Sequence, residues 1–156
     1  MSVEWNGDEV ERQLRARLSR NMRQAALYVK GQVQRSINRG NADGSDPSAP
    51  GESPKKVTAR LFQSIATDQR ESPLEITGVV GTNVEYAKRL EYGFTGTERV
   101  SPHTRLIKSV FGRKLPFPMY VNVGGYSRNV DQAPRPFLRP GLADNLPAIR
   151  RILARG

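Results

Sequence analysis

The chain has 156 residues, only 37% of them hydrophobic, and its 25 Lys and Arg against 15 Asp and Glu give a formal charge of +10. A single domain of that length buries roughly 70% of its unfolded surface, and the positive balance favours an acidic partner: nucleic acid, an anionic membrane or a complementary protein. The absence of cysteine excludes disulfides and thiolate chemistry, and with no secretory apolar core and no run of about 18 apolar residues, neither an export signal nor a membrane span is predicted.

Met1 to Gly7 reads as a short arm whose Trp5 is either a local staple or an anchor in a neighbouring subunit. Asp8 and Glu11 have the spacing of a capping box. From there Val10, Leu14, Leu18, Met22, Ala25, Val29, Val33 and Ile37 recur at steps of three and four, predicting a helix of about thirty residues and roughly 45 Å. Its other face bears Arg12, Arg15, Arg17, Arg20 and Arg23, either a solvated surface or one turned towards DNA or an acidic protein. Residues 39–56, rich in Gly, Pro, Ser and Asp, have the composition of a mobile loop.

Thr58 precedes Ala59-Arg60-Leu61-Phe62-Gln63-Ser64-Ile65, a short helix with Leu61, Phe62 and Ile65 inward and Thr58 as its cap. Two strands, 65–70 and 74–81, flank Glu71-Ser72-Pro73 as a hairpin. Gly81-Thr82-Asn83 is turn chemistry, with Asn83 placed to cap a second short helix in which Tyr86, Ala87, Leu90 and Glu91 recur and which Gly93 ends. Tyr86, Leu90 and Tyr92 are expected in the core, with Phe137 and Leu138 docked against them or against the next subunit. Arg135 and Arg139 flank that docking and are expected to pair with Glu85 or Glu91.

Residues 94–133 form an excursion of β character. Leu106 to Phe111 extends as a strand or a short helix, and Met119-Tyr120-Val121-Asn122-Val123 alternates like a strand. Arg99, Arg105, Lys108, Arg113, Lys114 and Arg128 stand against Glu98 and Asp131, with Phe94, Phe111, Phe117, Tyr120 and Tyr126 interleaved. That set is the candidate surface for DNA or an acidic partner, and it fits both stacked single-stranded nucleic acid and ordinary packing. Beyond it, Leu138, Leu142, Leu146, Ile149 and Leu153 keep a helical stripe. Pro136 suits the first turn, and Pro147 bends or restarts the helix after Asn145.

The motifs of catalysis are missing. His103 is the only histidine, so histidine-pair metal sites are excluded. Gly124-Gly125-Tyr126-Ser127 lacks the spacing and the Lys of a phosphate loop. Asn41-Ala42-Asp43-Gly44-Ser45-Asp46 is a poor calcium loop, because the register that puts Glu52 at the twelfth position leaves Asp46 where the sixth glycine belongs. No enzyme, cofactor or metal is expected.

Four segments in order carry a resemblance: Pro47-Ser48-Ala49-Pro50-Gly51-Glu52-Ser53-Pro54; Thr58 to Ile65; Val80-Gly81-Thr82-Asn83-Val84-Glu85-Tyr86-Ala87 with Leu90-Glu91-Tyr92-Gly93; and Pro134-Arg135-Pro136-Phe137-Leu138-Arg139-Pro140. Together they resemble the tail-completion and head–tail joining proteins of tailed bacteriophages, over roughly residues 9–155. Ala59 stands where that family usually has glycine, and the 99–130 excursion is longer than in compact members. The resemblance implies one α+β domain over 1–156, with a long N-terminal helix and a C-terminal helix packed on a small, mainly antiparallel sheet, and long loops. It also implies a virion subunit, made in the host cytoplasm, that forms a hexameric ring between the tail tube and the head-completion (stopper or adaptor) proteins. Genomic DNA passes through such a ring without sequence-specific binding. Trp5, Tyr86, Tyr92, Arg135, Phe137, Leu138 and Arg139 are then the expected subunit contacts. A basic nucleic-acid-binding module and a transient tail assembly factor are the other readings.

Overall fold

A computed structural model describes residues 6–37, 48–55 and 59–155. Trp5, the Thr58 cap, the Asn41–Asp46 stretch and most of the 39–56 loop lie outside the described residues. The fold is α+β, as expected. Where length predicts one domain, the chain divides into two compact units, one up to Gly93 and from Ala133 onward, the other Phe94–Gln132.

The first unit is built on α1 (Gly7–Ile37), with α2 (Ala59–Ser64), the antiparallel hairpin β1 (Ala66–Glu71) and β2 (Ile76–Gly81), α3 (Ala87–Tyr92), α4 (Leu138–Ala143) and α5 (Leu146–Leu153). Only the second half of the predicted α1 stripe is covered: Ala25, Val29, Val33 and Ile37 are buried, whereas Val10, Leu14 and Leu18 are 61%, 45% and 41% exposed. Among the described residues nothing in the unit packs over that first half in the way the hairpin and the α4–α5 pair cover the rest. Polar contacts hold it instead. Arg15 donates to the carbonyls of Ser72 and Pro73 in the hairpin turn, and Ser19, Gln69 and Glu71 form a closed hydrogen-bond set. Those bonds, with Arg15 and Arg23 nearby, hold the exposed Glu71 carboxyl below its ordinary pKa.

The core is small, with ten buried apolar residues among those described, centred on Val29, Val33, Ile37, Leu61, Ile65, Val84, Ala87 and Phe137. Midway along α1, buried Asn21 donates through Nδ2 to the carbonyls of Leu153 and Arg155, closing the end of α5. The final stripe breaks as Pro147 predicts: α4 ends at Ala143, and α5 restarts with the proline in its first turn, where a missing N–H costs nothing. Pro136 precedes α4, and Pro140 sits within that helix's first turn instead.

Gly141 lies where α4 crosses α1, and a Cβ there would overlap Cγ2 of Val33. Gly141→Ala gains about 1 kcal/mol of helix propensity, yet Val33 is fully buried and branched and cannot step aside. Overpacking of about 1–3 kcal/mol outweighs the gain. The variant is expected to melt several degrees below the parent in thermal denaturation, and an unchanged or raised midpoint contradicts this packing.

The second unit is a two-stranded antiparallel ribbon. β3 (Phe94–Val100) pairs with β6 (Tyr126–Gln132), and β4 (His103–Val110) pairs with β5 (Arg113–Val123). The register of the outer pair, Val100 opposite Tyr126, continues into the inner pair, His103 opposite Val123, without a slip across Ser101-Pro102 and Gly124-Gly125. The ribbon turns at Phe111-Gly112, both with positive φ (48° and 76°), as a two-residue hairpin requires. Beyond Ile107–Met119 the register shifts, and Lys108 faces the segment from Leu115 to Pro118. Its two prolines are tolerated because a bulge asks for no ladder hydrogen bond there. The β reading of 94–133 therefore holds, whereas the single small sheet is corrected to three two-stranded sheets.

Candidate functional site

The described residues of the four resemblance segments meet in the first unit, the last two joined through the carboxylate of Glu91. The chain reaches α3 through Ser64 and Thr82, whose hydroxyls share a 2.6 Å hydrogen bond, and the Thr82 hydroxyl also accepts from Val84 N–H. The predicted Asn83 cap does not form: α3 begins at Ala87 behind Tyr86, with no side-chain cap. Thr82 carries out the turn chemistry that spacing assigns to its neighbour. Gly93, at φ 75°, ends the helix as expected.

Along α3, Ala87 and Glu91 point inward, and Leu90 packs at the edge of the core. Tyr86 (38% exposed) and Tyr92 (61% exposed) do not, which corrects their expected place in the core. A six-residue helix has one inward stripe, and residues 87, 90 and 91 occupy it.

Glu91 is 4% exposed. Its Oε2 accepts from the backbone N–H of Phe137 (2.8 Å) and Leu138 (3.0 Å), and its Oε1 from that of Arg139 (3.0 Å). These are the unpaired donors that open α4, so an acidic side chain 46 residues away serves as that helix's N-terminal cap. Arg139 adds a longer contact through Nε (3.4 Å) and lays its guanidinium 4.6 Å from the centre of the Tyr92 ring. Burial by itself would push the Glu91 carboxyl up. The three backbone donors and Arg139 outweigh it and hold the group below the ordinary glutamate value.

The partner segment is tied down on both sides. Arg135 donates its backbone N–H to Leu90 O (2.6 Å) and its side chain to Ser48 O (3.1 Å). Gly51 N–H reaches Pro134 O, and Ser53 Oγ reaches Pro136 O. Of the expected Arg–Glu pairs, Arg139–Glu91 forms, while Arg135 binds backbone. Phe137 is fully buried at the centre of the core, so its docking is within the chain and it presents no surface to another subunit. Leu138 is half-buried beside it. Tyr86, Tyr92, Arg135 and Arg139 remain at or near the surface.

The basic set lies on the ribbon. Arg99 and Arg105 share the odd-numbered face, Lys108, Arg113 and Lys114 surround the turn, and Arg128 is engaged by Glu98 at 2.7 Å. The fully exposed Phe111 and the 82% exposed Phe117 flank the turn cations.

What sequence reasoning missed is the carboxylate's role. Glu91 followed by Tyr92-Gly93, with a Pro-X-Pro-Phe segment downstream, was a visible signal, because three unpaired N–H groups before Pro140 need an acceptor. Among the described residues no three His, Cys, Asp or Glu side chains gather as a metal site, and no helix is long and apolar enough to cross a membrane. Family models, curated proteins and solved structures contain no match to this chain.

Proposed function

We propose that the chain is a structural virion subunit of a tailed bacteriophage, forming a ring at the head–tail junction that joins the tail tube to head-completion proteins. The observation that carries this reading is the ribbon: every residue of Phe94–Gln132 is exposed or half-buried, none buried. A two-stranded ribbon is marginal by itself in water. A chain that invests a quarter of its length in one is built to be completed by assembly. The uncovered half of α1 and the thin core point the same way. The assignment to the phage neck rests on the ordered motifs, whose described residues meet in the first unit, and a hexamer is the expected ring. On this reading the protein resides in the virion, DNA passes without sequence-specific contact, and no membrane is involved.

Light scattering on the purified protein and electron microscopy of particles test this. Closed rings and presence in purified virions are expected. A chain that stays monomeric and is absent from virions overturns the reading, and rings that form during assembly but leave the finished particle identify a transient assembly factor.

The cations and exposed aromatics around Phe111 favour one second reading, a nucleic-acid-binding module. It requires saturable DNA affinity at physiological salt that falls steeply as salt rises.

A further inference from the structure

The ribbon and the body each lack what the other offers. Between β2 and the α4–α5 pair, with α1 as its floor, runs a largely apolar groove of about 380 Å³ lined by Met22, Ala26, Val79, Leu138, Leu142 and Ile149, with Arg139 also on its wall. Leu142 is half exposed, and Gly78 lets β2 lie close against Met22 and Ala26. Among the described residues β2 pairs only with β1, so no described strand lies beside the edge bordering the groove. On the ribbon, Met119, Val121 and Val123 alternate along β5 and so share one face, with Ile107 of β4 directly opposite Met119 and Arg105 directly opposite Val121. Phe117 and Met119 are 82% and 55% exposed. Pro116 and Pro118 block β5 from accepting a further strand, whereas His103–Val110 contains no proline and leaves β4 open to pairing.

We infer that β4 of one copy adds to the free edge of β2 in a second copy, so that the ribbon's apolar row covers that copy's groove. The result is a four-stranded sheet in the order β1, β2, β4, β5 over one α1, satisfying two exposed edges and burying both apolar faces. Charge agrees with the match. The β1–β2 hairpin carries Asp68, Glu71 and Glu75 against Arg70, while the ribbon carries six basic residues against two acidic ones. Ile107, Met119, Val121 and Val123 suit a protein groove, and Arg105 shares their face. The contact is heterologous, each copy giving a ribbon and receiving one, so its repetition closes a ring or extends a filament. This deepens the proposed ring and rests on it.

Two variants separate the halves: Leu142→Glu places a charge in the groove, and Met119→Glu places one on the ribbon. Both positions are exposed in the single chain, so circular dichroism and melting should match the parent. By light scattering the parent associates, and each variant alone is monomeric, its association weakened by at least about 100-fold. An equimolar mixture of the two forms a one-to-one dimer and nothing larger, because one sound ribbon meets one sound groove. A parent that associates while Leu142→Glu still does so overturns the docking and leaves the ring reading standing. A mixture that stays monomeric points to one shared patch and also overturns it. A parent that is monomeric alone overturns the docking, and the ring reading with it where the chain is also absent from virions; association only on adding duplex DNA assigns the ribbon to nucleic acid.

Discussion

Replacing Glu91 by alanine is expected to cost on the order of 4 kcal/mol of folding stability, a large part of what a domain of this size has. The loss comes from the three backbone donors that open α4. With the carboxylate gone, the N–H groups of Phe137, Leu138 and Arg139 face a cavity in the protein with no acceptor, and each buried orphan costs about 1–3 kcal/mol. The Arg139 side chain contributes little of this, because it is 63% exposed and its contact is long. A long ion pair whose cation stands largely in water is worth about 0–1 kcal/mol. Arg139→Ala is therefore the mild variant and Glu91→Ala the severe one. Equal effects in chemical denaturation would mean that the ion pair, and not the cap, holds the segment.

The same carboxylate gives a pH signature. Its folded-state pKa lies below the ordinary value of 4.5, so the folded chain holds the charged form more tightly than the unfolded chain does. The contribution is whole above about pH 5 and declines as pH falls through the unfolded value. It is gone once pH passes below the folded one. Glu91→Gln keeps the shape and one acceptor but turns an amide N–H₂ towards backbone donors. The stability gap between parent and Glu91→Gln should be widest near neutrality and narrow steadily on acidification below pH 4.5. A gap independent of pH would show that the charge is not what the N–H groups bind.

Much of this arrangement was legible in the sequence, for physical reasons that differ by element. The second half of α1, the β1–β2 hairpin and the restart at Pro147 follow from local rules, periodicity and proline chemistry, and the chain obeys them. Val10, Leu14 and Leu18 obey the same periodicity and remain exposed, because a stripe states which face is apolar and not what covers it. Tyr86 and Tyr92 fail for a related reason: a six-residue helix is too short for a period to say which of two candidate faces turns inward. The Glu91 cap joins residues 46 apart, so the need for an acceptor at the opening turn of α4 is legible in the sequence, but no local pattern says that Glu91 supplies it. Likewise, the alternation along β5 marks an apolar face without saying that the ribbon holds no core of its own.

Phe137→Ala is expected to cost about 4 kcal/mol, at the upper end for a buried aromatic truncation. Phe137 has no exposed surface and sits among Val33, Ile37, Leu61, Ile65 and Ala87, so the vacated volume is walled by α1, α2 and α3 at once. Collapse of one wall would strip contacts from the others, which keeps the cavity open. Phe137→Leu retains most of the volume and should cost about 1 kcal/mol. The two effects at this corner are coupled, because the backbone N–H of Phe137 is itself a Glu91 ligand at 2.8 Å. Once the ring is removed the segment shifts and the carboxylate loses its geometry, so part of the Glu91 contribution is already spent. In a double-mutant cycle, Phe137→Ala with Glu91→Gln should therefore destabilise by less than the two single changes added together. Strict additivity in urea denaturation would mean that the aromatic packing and the helix cap act independently, and that α4 is held to α3 by two separate attachments instead of one.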